Sequence, residues 1–310
     1  MGMVYLWLIV GFVLLIKGAD FFVEGSSSVA KLLRVPSVII GLTVVAFGTS
    51  APELAVSVTA ALNHNNGIAV GNVIGSNIFN LLVVTGLSCM VMALPADKKI
   101  MNWDFLYSIV IAVALLAMIA FDRSMGRIDG VILMVLFAYF LYVTIRAALS
   151  GRAGAEEEIE VLSPLKSAVF IIGGLIAIVM GGDLVVDSAS SIAAAFGLTE
   201  NLIGLTIVAM GTSLPELVTS MVAAKKGENG LALGNVIGSN IFNILLILGV
   251  SSVLSPIRVT VFSSYDLICL ILFSCVCWVM GKRKMKYTRF HGILMVAMYA
   301  GYMIYIIMRA

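Results

Sequence analysis

The feature that most constrains this chain is a forty-residue stretch that it contains twice. One copy runs from Gly41 to Asn80 and the other from Gly204 to Asn243, at a constant offset of 163 residues without a gap, with 27 of the 40 positions identical. Such identity within one chain marks an internal duplication. Each copy sets a proline beside a glutamate, Pro52-Glu53 and Pro215-Glu216, inside an otherwise apolar segment. A carboxylate in a segment long enough to cross a membrane is costly there and points to function.

Composition decides that these segments are membrane spans. Of the 310 residues 61% are hydrophobic and only 12% charged, and the mean hydropathy of +1.11 lies well above that of soluble chains. A net charge of +2, with the basic residues scattered through short loops, excludes a nucleic-acid-binding face. At about 20 apolar residues per crossing, the sequence predicts spans at 3–30, 36–62, 68–92, 103–121 and 128–149, and again at 165–195, 201–224, 231–254, 262–281 and 290–308. The first apolar run lacks a basic leader and a small-residue cleavage site and reads as a retained span. Cys89, Cys269, Cys275 and Cys277 lie in apolar runs and read as packing residues.

The duplication extends past the two stretches. Gly18, Asp20 and Glu24 fall opposite Gly181, Asp183 and Asp187 at the same offset, and Arg127 and Gly130 fall opposite Arg289 and Gly292 once one residue is dropped. Five spans is an odd number, so the second set enters the membrane from the other side, as in the inverted repeats of many secondary transporters. The expected fold is an all-α polytopic membrane protein: ten transmembrane helices as two inverted five-helix repeats with broken helices at the midplane. Residues 1–149 form the first repeat, 150–163 a cytoplasmic linker carrying Glu156, Glu157, Glu158 and Glu160, and 164–310 the second repeat. Fourteen basic residues fall in connections on the linker side and four on the other. That bias places both termini outside a multi-pass cell-membrane protein.

Pro52 and Pro215 cannot donate an N–H within a helix and should break their spans. Broken backbone at membrane depth is tolerated where it lines a cavity, and its free carbonyls are cation ligands. Thr49, Ser50 and Glu53 cluster at one break, and Thr212, Ser213 and Glu216 at the other. The following spans add Ser76 with Asn80, and Ser239 with Asn243, each pair one turn apart on one helix face. Gly71 and Gly75, like Gly234 and Gly238, should let neighbouring helices approach closely. Carboxylate, hydroxyl and amide oxygens without His or Cys suit Na⁺ or Ca²⁺ and not zinc or copper. Ser76 and Ser239 have a second reading as hydroxyls bonded within their own helices, and Asn80 and Asn243 one as interhelical contacts. Asp20, Glu24, Asp183 and Asp187 read as capping or solvated groups, with ion entry as the alternative. His64 and His291 read as structural.

In Gly48-Thr49-Ser50-Ala51-Pro52-Glu53 with Gly71 to Asn77, and in Gly211-Thr212-Ser213-Leu214-Pro215-Glu216 with Gly234 to Asn240, the sequence resembles the calcium/cation antiporter superfamily. It is most similar to the short prokaryotic members of the sodium/calcium exchanger branch. The resemblance spans essentially the whole chain and rests on both motifs in both halves. It implies a metal site formed by the carbonyls of Ala46 and Ala209, by Thr49, Ser50, Glu53 and Ser76, and by Thr212, Ser213, Glu216 and Ser239, with Asn80 at the centre. Asn243 stands where some members carry an Asp, which leaves ion count and potassium dependence open. The expected activity is antiport of Ca²⁺ against Na⁺ by alternating access, with a proton-coupled cation exchanger as the alternative. Na⁺ and Ca²⁺ are then transported ions, no cofactor is implied, and the bilayer is the other partner; no protein or nucleic-acid partner is evident. An intramembrane protease would need a catalytic pair that the motifs do not supply, and a channel fits two inverted broken repeats less well.

Overall fold

A computed structural model describes residues 2–120, 122–150, 161–197, 207 and 209–309. Helices dominate: α1 (Met3–Leu33), α2 (Ser37–Thr49), α3 (Ala51–Leu62), α4 (Asn66–Val91), α5 (Ile100–Ile119), α6 (Arg127–Leu149) and α7 (Pro164–Ala195). After a short helical piece at Ala209–Gly211 come α8 (Leu214–Lys225), α9 (Asn229–Leu254), α10 (Val261–Lys284) and α11 (Arg289–Met308). Among the described residues eight helices are long and apolar enough to cross a membrane, or up to nine if α2 and α3, bent by 49°, count as one broken span. The seventh expected span, 201–224, opens on residues outside the described set. So do Gly204 and the linker glutamates 156–158 and 160.

Burial sorts the helices into two kinds. The most apolar windows of α4 and α9 are 83% buried, against 33% for α1 and 28% for α7. The duplicated helices therefore form the centre, while α1 and α7 turn much of their surface, including Trp7, Phe12, Val169 and Ile176, outward. In a soluble protein such an exposed apolar face would be a liability, whereas lipid covers it here. Helices α1 and α7 pack along each other in antiparallel register. A methyl group on Gly18 would lie 2.8 Å from the Gly174 carbonyl, and one on Gly181 2.8 Å from the Gly11 carbonyl. Only a missing Cβ permits that backbone approach.

Contacts between the halves come in exchanged pairs. A two-residue ribbon joins Leu94–Pro95 to Lys286–Tyr287, and its counterpart joins Ser124–Met125 to Ile257–Arg258. Gly130 on α6 seats against Gly249 and Ser252 of α9, as Gly292 on α11 seats against Gly86 of α4. Of the cysteines, Cys89 and Cys277 are buried as packing residues, but Cys275 is exposed. The fold places it on the outer face of α10, where its small apolar side chain meets lipid instead of core.

Candidate functional site

Both Pro-Glu pairs stand at helix starts. Ser50, at φ −83° and ψ 8°, leaves the helical line and α3 begins with Pro52 in its first turn. Ser213, at φ −91° and ψ 6°, does the same ahead of Pro215 in α8. A first turn has no use for the missing proline N–H, so a break before the proline satisfies the backbone at little cost. The same geometry puts a glutamate in each first turn, where the free N–H groups and the helix dipole favour negative charge. Opposite them, α4 and α9 each loosen into a π-helical segment, Asn80–Val84 and Asn243–Leu248. Such segments re-aim side chains and recur at functional sites. Each begins on the candidate asparagine.

The two breaks meet and cross. Ser50 Oγ donates to Glu216 Oε1 at 2.9 Å, and Ser213 Oγ donates to Glu53 Oε1 at 3.1 Å. Ser239 Oγ adds a longer bond to Glu216 Oε1 at 3.4 Å. Glu53 and Glu216 are both fully buried, and their charges repel one another. The second oxygen of each, Glu53 Oε2 and Glu216 Oε2, has no partner, and the same holds for Ser76 Oγ, both amide atoms of Asn80 and the Asn243 Oδ1. Buried polar groups are almost always satisfied, and an uncompensated buried carboxylate costs several kcal/mol. Six polar atoms of the candidate ligands are thus buried without a partner, two of them on the glutamates themselves.

Most of the expected ligands converge here. Thr49 Oγ1 lies 3.1 Å from its own helix's Val45 carbonyl and 3.0 Å from Asn235 Oδ1 across the repeat boundary. Thr212 Oγ1 lies 3.4 Å from Asn72 Oδ1. The Ala46 carbonyl accepts the Ser50 N–H at 3.0 Å, and Ala209 opens the short helical piece before the second break. The within-helix reading of Ser76 and Ser239 does not hold, since one hydroxyl is unpartnered and the other bonds to a glutamate. Asn243 does bridge helices, its Nδ2 donating to Asn77 Oδ1 at 2.9 Å, while the Asn80 side-chain amide has no partner. Among the described residues no three His, Cys, Asp or Glu side chains gather as a metal cluster. A narrow crevice lined by Phe47, Leu54, Phe242, Leu246 and Ile247 reaches Ser50 from one side.

Three features escaped the sequence reading. Asn77 and Asn240 exchange bonds at the centre, each Nδ2 donating to the other's backbone carbonyl at 3.2 Å. Asp20 and Glu24 are neither caps nor simply solvated, because Lys226 reaches them at 2.7 Å and 3.7 Å and so ties α1 to the end of α8. Gly234 and Gly238 admit the expected close approach, to Val38, Leu42 and Ala46 of α2, whereas a methyl group on Gly71 or Gly75 would meet nothing within 4 Å among the described residues, which leave out most of the matching segment 201–209. His64 sits in a left-handed turn at φ 58° with its ring 3.4 Å from Ser255 Oγ, a structural position as expected.

Comparison with known proteins rests on this whole framework. The family described as "Sodium/calcium exchanger protein" matches residues 3–146 and 166–308. The chain belongs to the sodium/calcium exchanger family. Relatives within reach of it include the putative antiporter CaxA of Alkalimonas amylolytica, 41% identical over 81% of each chain, and the sodium/calcium exchanger MaX1 of Methanosarcina acetivorans, 31% identical over 97% of each. The solved sodium-calcium exchanger NCX_Mj superposes with a TM-score of 0.84 at 36% identity, covering 96% of this chain and 97% of that one. This family member is thus a multi-pass membrane protein whose duplicated helices form its buried centre.

Proposed function

We propose that the protein is a secondary antiporter that exchanges Ca²⁺ for Na⁺ across the cell membrane by alternating access. The observation that carries this reading is the pair of buried glutamates, each with one oxygen held by a serine of the opposite repeat and one left without a partner. Two carboxylates, hydroxyls of Thr49, Ser50, Ser76, Thr212, Ser213 and Ser239, carbonyls of Ala46 and Ala209, and the amides of Asn80 and Asn243 make an all-oxygen donor set for hard cations. Two ionised glutamates neutralise one Ca²⁺ or two Na⁺, so the two loads compete for one site. The exchanged-pair contacts between halves support ten spans as two inverted repeats, 1–149 and 164–310, joined by a cytoplasmic linker at 150–163. Both termini then lie outside, in keeping with the loop charges.

Calcium uptake into proteoliposomes, driven in turn by a sodium gradient and by a proton gradient, tests the coupling. Uptake that follows sodium alone is the expected result. Uptake that follows protons alone would replace this reading by the proton-coupled exchanger.

A further inference from the structure

Asn72 and Asn235 hold the second position of the two GNVIGSN heptapeptides, and their geometry is the same twice over. Asn72 Nδ2 donates to Ser57 Oγ at 2.9 Å and to the Glu53 backbone carbonyl at 3.3 Å. Asn235 Nδ2 donates to Ser220 Oγ at 2.9 Å and to the Glu216 backbone carbonyl at 3.4 Å. A primary amide has two protons to give and both are taken, so neither side chain can turn over without losing both bonds. Each Oδ1 is therefore held facing the other repeat, where Thr212 Oγ1 stands 3.4 Å from Asn72 Oδ1 and Thr49 Oγ1 3.0 Å from Asn235 Oδ1. Those threonines also stand against the glutamates, Thr212 against Glu53 and Thr49 against Glu216. A hydroxyl has a single proton and two lone pairs. With the proton on a glutamate it points its positive end into the site; with the proton on the asparagine, which for Thr49 is at 3.0 Å a slightly nearer acceptor than the Val45 carbonyl of its own helix at 3.1 Å, it presents a lone pair there.

We propose that Asn72 and Asn235 are positioning residues for the cation site: each accepts the proton of the opposite repeat's threonine and so turns that hydroxyl into a cation ligand. The inference rests on the cation-site reading given above. It also explains why one amide is clamped to the backbone of a glutamate on its own side while serving a threonine on the other. The two half-sites are keyed to each other through these amides, and the duplicate arrangement makes the coupling reciprocal.

The test is a double-mutant cycle read as the half-saturating calcium concentration of exchange in proteoliposomes. Thr49→Val is expected to raise it about tenfold, the usual consequence of losing one hydrogen-bonding or ligand group. Asn235→Leu is expected to raise it by a comparable factor, and the double variant to be no worse than Thr49→Val alone, because the asparagine acts through the threonine. Thr49→Ser, which keeps the hydroxyl, should hold wild-type affinity. Multiplying effects in the double variant would overturn the proposal and leave the site intact. An unchanged affinity in Thr49→Val would overturn the site reading itself. Should Asn235→Leu fail to fold, Ser220→Ala takes its place in the cycle, since it frees one amide proton and lets the amide turn. It is expected to weaken calcium about threefold with Thr49 present and not with Val at 49; equal weakening in both backgrounds would overturn the proposal.

Discussion

Gly75 and Gly238 occupy the same position in two copies of an identical heptapeptide, yet their surroundings differ. A methyl group on Gly238 would lie 2.7 Å from Ala46 Cβ and 2.9 Å from Leu42 backbone, whereas one on Gly75 would meet nothing within 4 Å among the described residues. Helix α2 closes on α9 along this face, where Gly234 and Gly238 are buried; on α4 the matching face leaves Gly71 exposed and Gly75 half-buried. At the glutamates, by contrast, the crossed serine bonds match in the two halves, and only Ser239 adds a longer bond, to Glu216. One sequence repeated in two packings, around a symmetric site, is what an antiporter held in one of two related states would show, the second state being the first with the roles of the repeats exchanged. Symmetry at the site and asymmetry at its flanks give the comparison two edges that experiment can break.

The largest effects belong to the symmetric part. Glu53→Gln and Glu216→Gln should each lower sodium-driven calcium flux on the order of a hundredfold or more, since losing one partner from a buried charged set costs about 2–5 kcal/mol. The two losses should be equal within a few-fold, because each glutamate makes the same crossed bond. Near-normal flux in either variant would show that the two carboxylates are not equivalent and would sink the shared site.

The asymmetric part separates stability from turnover. Gly238→Ala places a methyl group into the α2–α9 contact and should lower stability by about 1–3 kcal/mol, the usual cost of overpacking, visible as a drop in melting temperature in detergent. Gly75→Ala should melt like the wild type. If the repeats exchange roles during transport, the α4 face must itself be closed on at another stage, so Gly75→Ala should also slow exchange several-fold despite its normal stability. Unaltered exchange in Gly75→Ala would mean that this face stays open throughout the cycle.

The centre offers a smaller difference. Asn243 Nδ2 donates to Asn77 Oδ1, but neither amide atom of Asn80 has a partner. Asn243→Asp exchanges a donor for an acceptor and sets oxygen against oxygen, which should cost about 1–3 kcal/mol unless the new carboxyl is protonated. Asn80→Asp breaks no side-chain bond and carries only the desolvation of the new carboxylate, which Asn243→Asp carries as well, so its deficit should be the smaller of the two. Melting curves for the two variants at neutral and acid pH decide it: the deficit of Asn243→Asp should shrink on acidification, because a protonated carboxyl restores the donor. A deficit that is equal for both variants would mean that the Asn77 bond does not distinguish them.

What could be read before the fold was known follows from where the information is local. The broken helices were legible because Pro52 and Pro215 act on their own backbone, and the donor chemistry was legible because Thr49, Ser50 and Glu53 share one turn. The identity of GNVIGSN in both copies identified the repeat but could not report that its glycines pack in one place and stand open in the other, since identical residues carry no information about two conformations. The bonds of Asn72 to Thr212 and of Asn235 to Thr49 join residues 140 and 186 apart in the chain. Only the crossing of the repeats creates them.

The smallest expected effect concerns the two ends of the molecule. At the linker end Lys226 pairs with Asp20 and Glu24 of α1, and Ser27 bonds to Glu228 beside it. The equivalent positions at the other end are Asn63, Asp183, Asp187, Ser190 and Asn65, and no ion pair forms among them in the described residues. The acids are duplicated; the lysine is not. The pair is half-exposed, at 31% for Lys226 and 39% for Asp20, and pairs of that kind contribute about 0.2–1 kcal/mol and weaken with salt. If the lysine favours the state in which α1 is held against α8, Lys226→Gln should shift the balance of the two access states by up to about fivefold, and Asn63→Lys, which builds the missing partner at the opposite end, should shift it the same way. Cysteine-accessibility rates measured from the two sides at low and high salt would read this balance. The shift should fade as salt rises, and a shift of undiminished size at high salt would mean that the lysine acts by packing and not by its charge.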